Sequence, residues 1–244
     1  MRLTRCHVDT ALSAGTDLTL PDSAAAHLVR VLRLREGDEC VLFNGDGNDY
    51  RACIALAGKR EVVARVLSAS PVDNESPLRI TLVQGIARGE KMDLILQKAA
   101  ELGVAGFIPV LAERTEVKLD AERTGKRMAH WRSVIVSACE QSGRARVPGL
   151  SQPVALGQVA TKLADDAVKL TLDPVGDSTL ATLAAPVAHS IAIAIGPEGG
   201  WSPRDRETLR VAGFSGLRLG PRILRTETAG LAAIAALQSR FGDL

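Results

Sequence analysis

From residue 78 onward, short apolar runs typical of buried strands alternate with longer segments of helical periodicity. The run LRITLVQ (78–84) precedes a helix predicted over 90–102, and the run HSIAIAIG (189–196) precedes a helix that begins at Ser202. Strands separated by helices pair in parallel, because each crossover returns the chain to the same edge of the sheet. The pattern therefore predicts an α/β fold class with a parallel sheet.

The other elements of this part follow from the same periodicities. Ser202, Pro203 and Asp205 form a capping-box pattern at the start of one helix, and Thr226 is predicted to cap the last helix. Further strands are predicted over 106–110, 167–172 and 216–220, and further helices over 121–142, 153–163 and 226–241.

The first seventy residues have a different character and are predicted to be mainly β-structure. The runs ECVLF, YRACIAL and EVVARVL indicate strands, and NGDGN between the first two indicates a turn. A short helix is predicted over 23–34, with Asp22 as its cap. The segment SPVDNESP (70–77) is aperiodic and rich in turn residues, which predicts two domains, 1–72 and 73–244.

Composition narrows the class of protein. The 244 residues include 30 basic and 28 acidic side chains, and aromatic residues make up only 3%, so base stacking on aromatic platforms is not expected. The four cysteines form no C-x-x-C pair, so neither a zinc site nor another metal site is expected. The chain has no signal-peptide pattern at its start and no apolar run of about 18 residues, so we expect a cytoplasmic protein without a membrane partner.

Candidate ligand-binding residues follow three of the predicted strands, where parallel sheets bind their ligands. The strand ends carry TLDP, IGPEGG and LGPRILRTETAG. Glycines allow a backbone to approach a ligand closely, but a loop of this composition is equally consistent with a tight turn that binds nothing. Neither G-x-G-x-x-G nor G-x-x-x-x-G-K-[ST] is present, so a dinucleotide or triphosphate site has little support.

IGPEGG followed by LGPRILRTETA and a terminal helix resembles the RsmE family. Those proteins are bacterial methyltransferases of the SPOUT superfamily that act on uracil N3 in small-subunit (16S) ribosomal RNA. The segments GEKMDLILQKAAELGV and ACEQSGRARVPGL also resemble blocks of that family, in the same order, and the resemblance covers nearly the whole chain. GWS follows GPEG where the family commonly has GFS, which is a conservative change.

The resemblance implies a PUA-like RNA-binding barrel in 1–72 and a SPOUT domain with a C-terminal trefoil knot in 73–244. It also implies a homodimer and S-adenosylmethionine as the cofactor. The residues that it places at the cofactor are Leu172, Asp173, Pro174, Gly196, Pro197, Glu198, Gly199, Gly200, Leu219, Gly220, Pro221, Ile223, Leu224 and Thr226.

The chemistry of the reaction suggests roles for charged residues in the same loops. Uracil N3 becomes nucleophilic only when its proton leaves, so an arginine that stabilises the anion and a carboxylate that steers or accepts the proton are needed. Arg225 is the candidate for the first role, and Glu227 or Glu198 for the second. The residues expected to contact RNA are Arg30, Arg33, Arg35, Arg114 and Arg144.

Two other functions remain open from the sequence. A SPOUT enzyme could instead methylate another base or a ribose 2′-hydroxyl, but the ribose-methylating branch usually ends in an Asn-Val-Ser motif, which Arg225–Thr228 does not match. A non-catalytic RNA-binding protein could retain the fold, but it would be expected to lose the loop glycines or RILRTET, and this chain keeps both.

Overall fold

The computed structural model describes residues 3–117, 121–165, 167–176 and 178–244. The chain forms two compact units. The first combines Met1–Glu75 with Val136–Val147, and the second combines Ser76–Ile135 with Pro148–Leu244. The predicted domains, 1–72 and 73–244, did not include Val136–Val147 in the first unit.

The first unit is built on a five-stranded sheet with the order β1-β3-β4-β5-β2. All pairs in it are antiparallel except β1 with β3. The predicted strands and the turn between β3 and β4 are confirmed, and Gly45 and Gly47 in that turn both have positive φ. The strands are β1 (Arg5–His7), β2 (Asp17–Thr19), β3 (Glu39–Phe43), β4 (Asn48–Ala57) and β5 (Val62–Pro71).

The helix predicted over 23–34 is wrong at both ends. Helix α1 spans Asp22–Ala25 and continues as a wider π-helical turn over Ala26–Val31. Asp22 lies inside the helix, and no side chain caps its start. Arg33 has a φ of 60°, which is left-handed backbone, so the helix cannot continue to Leu34.

The second unit is built on an eight-stranded sheet in which every pair is parallel, as predicted. The order is β11-β13-β10-β12-β6-β7-β8, and β9 also pairs with β7. The strands are β6 (Arg79–Gly85), β7 (Val104–Leu111), β8 (Gly149–Leu150), β9 (Val154–Ala155), β10 (Val168–Leu172), β11 (Ser178–Thr179), β12 (Ser190–Ile195) and β13 (Ser215–Arg218).

The described α-helices beyond residue 76 are α2 (Glu90–Glu101), α3 (Ala121–Ser142), α4 (Pro203–Val211) and α5 (Thr226–Phe241), and α3 belongs to the first unit from Val136 onward. The capping box at α4 is confirmed, since the Asp205 N–H donates to Ser202 Oγ and the Ser202 N–H donates to the Asp205 carboxylate, both at 3.0 Å. The helix predicted over 153–163 is wrong. Val154 and Ala155 pair with β7, and a 3₁₀ helix follows over Leu156–Lys162.

The order of the strands places the candidate loops together. Strands β13, β10 and β12 are neighbours in the sheet, and because they are parallel, their carboxyl ends share one edge. The chain after each of these strands carries one of the three loops that the sequence singled out. Among the described residues, no helix is both long and apolar enough to cross a lipid bilayer.

Candidate functional site

The three loops line a cavity of about 340 Å³ at the carboxyl edge of the sheet. This volume lies within the range of about 300–1,000 Å³ that is typical of small-molecule sites. The predicted residues that line it are Leu172, Asp173, Pro174, Gly196, Pro197, Glu198, Gly199, Gly200, Leu219, Gly220, Ile223, Leu224, Arg225 and Thr226.

Two of the residues predicted to bind the cofactor or to be catalytic lie outside this lining. Pro221 is exposed and follows Gly220, whose φ of 133° turns the chain at this point. Glu227 is the second residue of α5, and its side chain is directed towards Lys91. Pro221 therefore stays a predicted cofactor residue outside the lining, and Glu227 has a different neighbourhood from the lining residues.

The cavity is also lined by residues that were not predicted to lie there, or that were predicted to contact RNA. Arg206 lies on α4 and Ala229 on α5, each about one helical turn beyond a loop that carries the site. Arg206 follows Ser202, and Ala229 follows Thr226, at the spacing of residues that share one face of a helix. This spacing is the sequence signal that could have predicted both residues. The other additional lining residues are Arg114, Ile195, Trp201, Leu217 and Arg222.

The loop after β12 folds back tightly on itself. The Gly200 N–H donates to the Pro197 carbonyl at 2.8 Å, and Gly200 has a φ of 64°. A Cβ atom at Gly196 would lie 3.1 Å from Gly200 Cα, so the first and last glycines of the turn are in close contact. The glycines are therefore required by the shape of the turn itself.

Thr226 joins two of the three loops. Its hydroxyl donates to the Gly196 carbonyl at 2.6 Å and accepts a hydrogen bond from Gln84 Nε2 at 3.1 Å. The structure corrects its predicted role as a cap, because the N-cap of α5 is Arg225, with no side-chain hydrogen bond. The hydroxyl of Thr226 is instead used to hold the start of α5 against the loop after β12.

Two arginines brace the walls of the cavity. The Arg206 guanidinium forms an ion pair with Asp173, which links α4 to the loop after β10. Arg114 Nη1 donates to the Gly199 carbonyl at 2.9 Å, which links the segment after β7 to the loop after β12. Arg114 is thus part of the cavity wall, and its predicted contact with RNA remains a prediction.

Glu198 is held as a carboxylate at the edge of the cavity. Burial raises its pKa, but hydrogen bonds from the backbone N–H groups of Arg88 and of Glu198 itself, together with the charge of Lys91, outweigh that effect. The net result is a pKa below the usual value. A carboxylate stabilised in this way is a weak proton acceptor.

Arg225 lines the cavity and is exposed. Within the described part of the chain, no side-chain hydrogen bond or ion pair engages its guanidinium. Arg222 lines the same wall and is also exposed. The cavity therefore presents positive charge that can meet an anionic group.

The arginines predicted to contact RNA divide into two groups. Arg30, Arg33 and Arg35 are exposed on the first unit. Arg144 is only 4% exposed, and its guanidinium donates to the Glu75 carboxylate, with Nε 2.9 Å from Oε1. The assignment of Arg144 to RNA is therefore corrected, because its charge is already neutralised inside the first unit.

Comparison with protein families agrees with this architecture. Residues 74–238 match a family described as an RNA methyltransferase domain, and residues 20–67 match one described as an RNA methyltransferase PUA domain. The chain belongs to the RNA methyltransferase family. The longer match includes all of the predicted cofactor residues, and the shorter one includes Arg30, Arg33 and Arg35.

Curated members of the RNA methyltransferase family cover nearly the whole chain. A protein named Ribosomal RNA small subunit methyltransferase E from Buchnera aphidicola is 31% identical over 100% of this chain and 98% of its own. The protein of the same name from Mycobacterium tuberculosis is 34% identical over 96% and 92%. These relatives confirm the resemblance to the RsmE family.

Solved structures in the RNA methyltransferase family have the same fold. A methyltransferase from Legionella pneumophila, solved with the cofactor SAM, is 41% identical over the full length of both chains, with a TM-score of 0.95. The Ribosomal RNA small subunit methyltransferase E from Neisseria gonorrhoeae, bound to S-adenosyl methionine, is 39% identical over the same span, with a TM-score of 0.92.

Proposed function

We propose that this protein transfers a methyl group from S-adenosylmethionine to N3 of a uracil in 16S ribosomal RNA. The observation that carries the proposal is the cavity where the loops after β10, β12 and β13 meet, lined on one side by Arg225. The relatives that act on small-subunit ribosomal RNA and the similar structures that hold the cofactor support it.

The residues around the cavity fit the proposed cofactor. Leu172 and Leu219 provide apolar surface for a flat adenine ring, while the turn at 196–200 offers backbone groups and little side-chain bulk. The Asp173 carboxylate is already paired with Arg206, so it acts as part of the wall of the site. When it is bound, S-adenosylmethionine supplies a methyl group that is activated by a positively charged sulfur.

The chain's own residues must then prepare the uracil. N3 loses its proton as it becomes a nucleophile, so negative charge develops on the ring and its oxygens. The guanidinium of Arg225 is placed to stabilise that charge, which is the role in which a single fixed donor has its largest effect. Glu198, which lines the cavity, and Glu227, whose buried Oε2 lies 4.0 Å from the Lys91 ammonium, both remain candidates to steer or accept the proton.

We propose that the first unit supplies affinity for RNA through Arg30, Arg33 and Arg35, which are exposed. Replacing all three with alanine should weaken RNA binding and reduce the salt dependence of the binding constant by about one unit of slope per lost phosphate contact. Filter binding between 50 and 200 mM salt, roughly the range over which such contacts are screened, measures this slope. An unchanged slope in the triple variant would place the RNA contacts elsewhere.

We further propose that the chain after β13 forms a trefoil knot. Strand β13 is separated from β12 by β10, yet the start of α5 bonds to the loop after β12, so the chain must cross back past β10.

We also infer a cytoplasmic homodimer. Two highly exposed apolar side chains beside the cavity, Ile223 and Val175, support a partner surface there.

The decisive experiment is incubation of the purified protein with S-adenosylmethionine and 16S ribosomal RNA, free and in the small subunit, from cells that lack this gene. Mass spectrometry of the digested nucleosides should reveal N3-methyluridine. A 2′-O-methylated nucleoside, or another methylated base, would instead favour the alternative SPOUT activities. No methyl transfer to either form of the RNA would refute the proposal.

A further inference from the structure

Lys91 occupies a position at which helix electrostatics disfavour a cation. It is the second residue of α2, and the N-terminal end of a helix carries a partial positive charge. Its ammonium nitrogen lies 3.6 Å from Glu198 Oε1 and 4.0 Å from Glu227 Oε2. The two carboxylates, and not the helix, therefore account for a lysine at this position.

These carboxylates belong to two different segments that form the cavity. Glu198 is in the loop after β12, and Glu227 is in the first turn of α5, directly after the loop that follows β13. Lys91 thus links the same two segments that the hydroxyl of Thr226 links through Gly196. Both distances from Lys91 are longer than a direct hydrogen bond, so this second link acts through charge.

The two carboxylates would repel each other without a cation between them, because both lie within 4.0 Å of one nitrogen atom. Glu227 is only 17% exposed, so solvent screens its charge incompletely. The nearby guanidinium of Arg88 forms an ion pair with Glu116, and only the backbone N–H of Arg88 reaches Glu198. Lys91 is therefore the cation that Glu198 and Glu227 share.

We propose that Lys91 is a positioning residue for the cofactor site. By holding Glu198 beside Glu227, it fixes the loop after β12 against the start of α5 in the arrangement that binds the cofactor. Lys91 does not itself line the cavity, so it acts through the two carboxylates. The identity of the ligand, S-adenosylmethionine, rests on the proposed function.

The test is calorimetric titration of the full chain with S-adenosylmethionine, in the absence of RNA. Lys91→Met should raise the dissociation constant about tenfold, the change expected when a partly buried ion-paired cation is removed. Lys91→Arg keeps the charge and should stay within about threefold of the wild type. Adding Glu227→Gln to Lys91→Met should restore most of the affinity, because the glutamine removes the repulsion.

Lys98→Met is the matched control. Lys98 is also on α2, its side chain is 42% exposed against 39% for Lys91, and it is paired with Glu101 at 2.9 Å, away from the cavity. This variant should bind S-adenosylmethionine as the wild type does. Thermal unfolding of every variant establishes that the proteins compared are folded, and Lys91→Gln replaces Lys91→Met if the latter does not fold.

An unchanged dissociation constant in folded Lys91→Met would overturn the inference. So would a loss of affinity that neither the arginine nor the Glu227→Gln substitution restores, because the charge would then not be the cause. A variant that binds S-adenosylmethionine normally but has a raised KM for RNA would assign Lys91 to the RNA instead. Methylation by the wild type is measured separately, so failure of the proposed function is distinguished from failure of this inference.

Discussion

Thr226→Val tests whether the hydroxyl that joins the loops after β12 and β13 controls both stability and cofactor binding. Valine has nearly the shape of threonine, so packing at this 7% exposed position is kept while the hydroxyl is lost. The substitution leaves the Gly196 carbonyl and one N–H of Gln84 Nε2 without the partner that they have in the wild type. Each buried polar group without a partner costs about 1–3 kcal/mol, so we expect a loss of about 2–6 kcal/mol in the free energy of unfolding.

The magnitude can be compared directly with Thr226→Ser, which keeps the hydroxyl and removes one methyl group. Burial of one such carbon contributes about 0.8 kcal/mol, so serine should be the less damaging substitution although it changes the shape more. For a chain of this size, about 1 kcal/mol corresponds to a shift of about 2–4 °C in Tm. Thr226→Val should therefore lower Tm by about 4–24 °C.

Urea unfolding of both variants, followed by calorimetric titration with S-adenosylmethionine, checks the two consequences separately. The valine variant should bind the cofactor about tenfold more weakly, since one lost hydrogen bond of about 1.4 kcal/mol between the loops corresponds to that factor. The serine variant should bind within about threefold of the wild type. The reasoning would be refuted by a valine variant as stable as the wild type, or by a serine variant that is the weaker of the two.

Three further substitutions test other parts of the site. Gly199→Ala would place a Cβ 2.9 Å from Arg114 Cβ, so we expect weaker cofactor binding in calorimetry, whereas Gly149→Ala, which adds a Cβ in open space, should bind normally. Arg225→Ala should lower the single-turnover rate at saturating RNA by about 10²–10³-fold, with cofactor affinity within a few fold, and an unchanged saturated rate would remove Arg225 from the catalytic residues. The lowered pKa of Glu198 means that its stabilising contribution is present above its ordinary pKa of 4.5 and is lost as the pH falls through the folded value. The free energy of unfolding of Glu198→Gln should therefore decrease less than that of the wild type between about pH 5 and pH 3, and parallel pH curves would contradict this.

The elements that the sequence predicted well are those that local patterns determine. The bounds of α3 agree with the prediction, because its periodicity is continuous and Gly143 follows it directly. The capping box of α4 was predictable because all of its partners lie within three residues of Ser202. The three loops could be assigned to one edge of the sheet because parallel strands place their carboxyl ends together.

The errors arose where distant parts of the chain decide the structure. The sequence pattern predicts a helix that includes Val154 and Ala155. These two residues instead pair with β7, which provides hydrogen-bond partners for an extended backbone. Arg144 has the pattern of an exposed basic residue, but Glu75, which lies 69 positions away, neutralises it. Lys91 shows nothing unusual in the sequence, because its partners come from two later segments of the chain.

The first unit draws Val136–Val147 from beyond the middle of the chain, which constrains how it forms during synthesis. The buried guanidinium of Arg5 donates to the carbonyl of Arg144 at 3.0 Å, and the His7 N–H donates to Glu140 at 2.9 Å. Neither bond can exist until those residues have left the ribosome. At about 5–20 residues per second, the strands before residue 75 therefore wait several seconds for their last partners. A fragment that ends at residue 72 would remain in that incomplete state, without the Arg144 carbonyl that accepts from Arg5 and the Glu140 carboxylate that accepts from the His7 N–H.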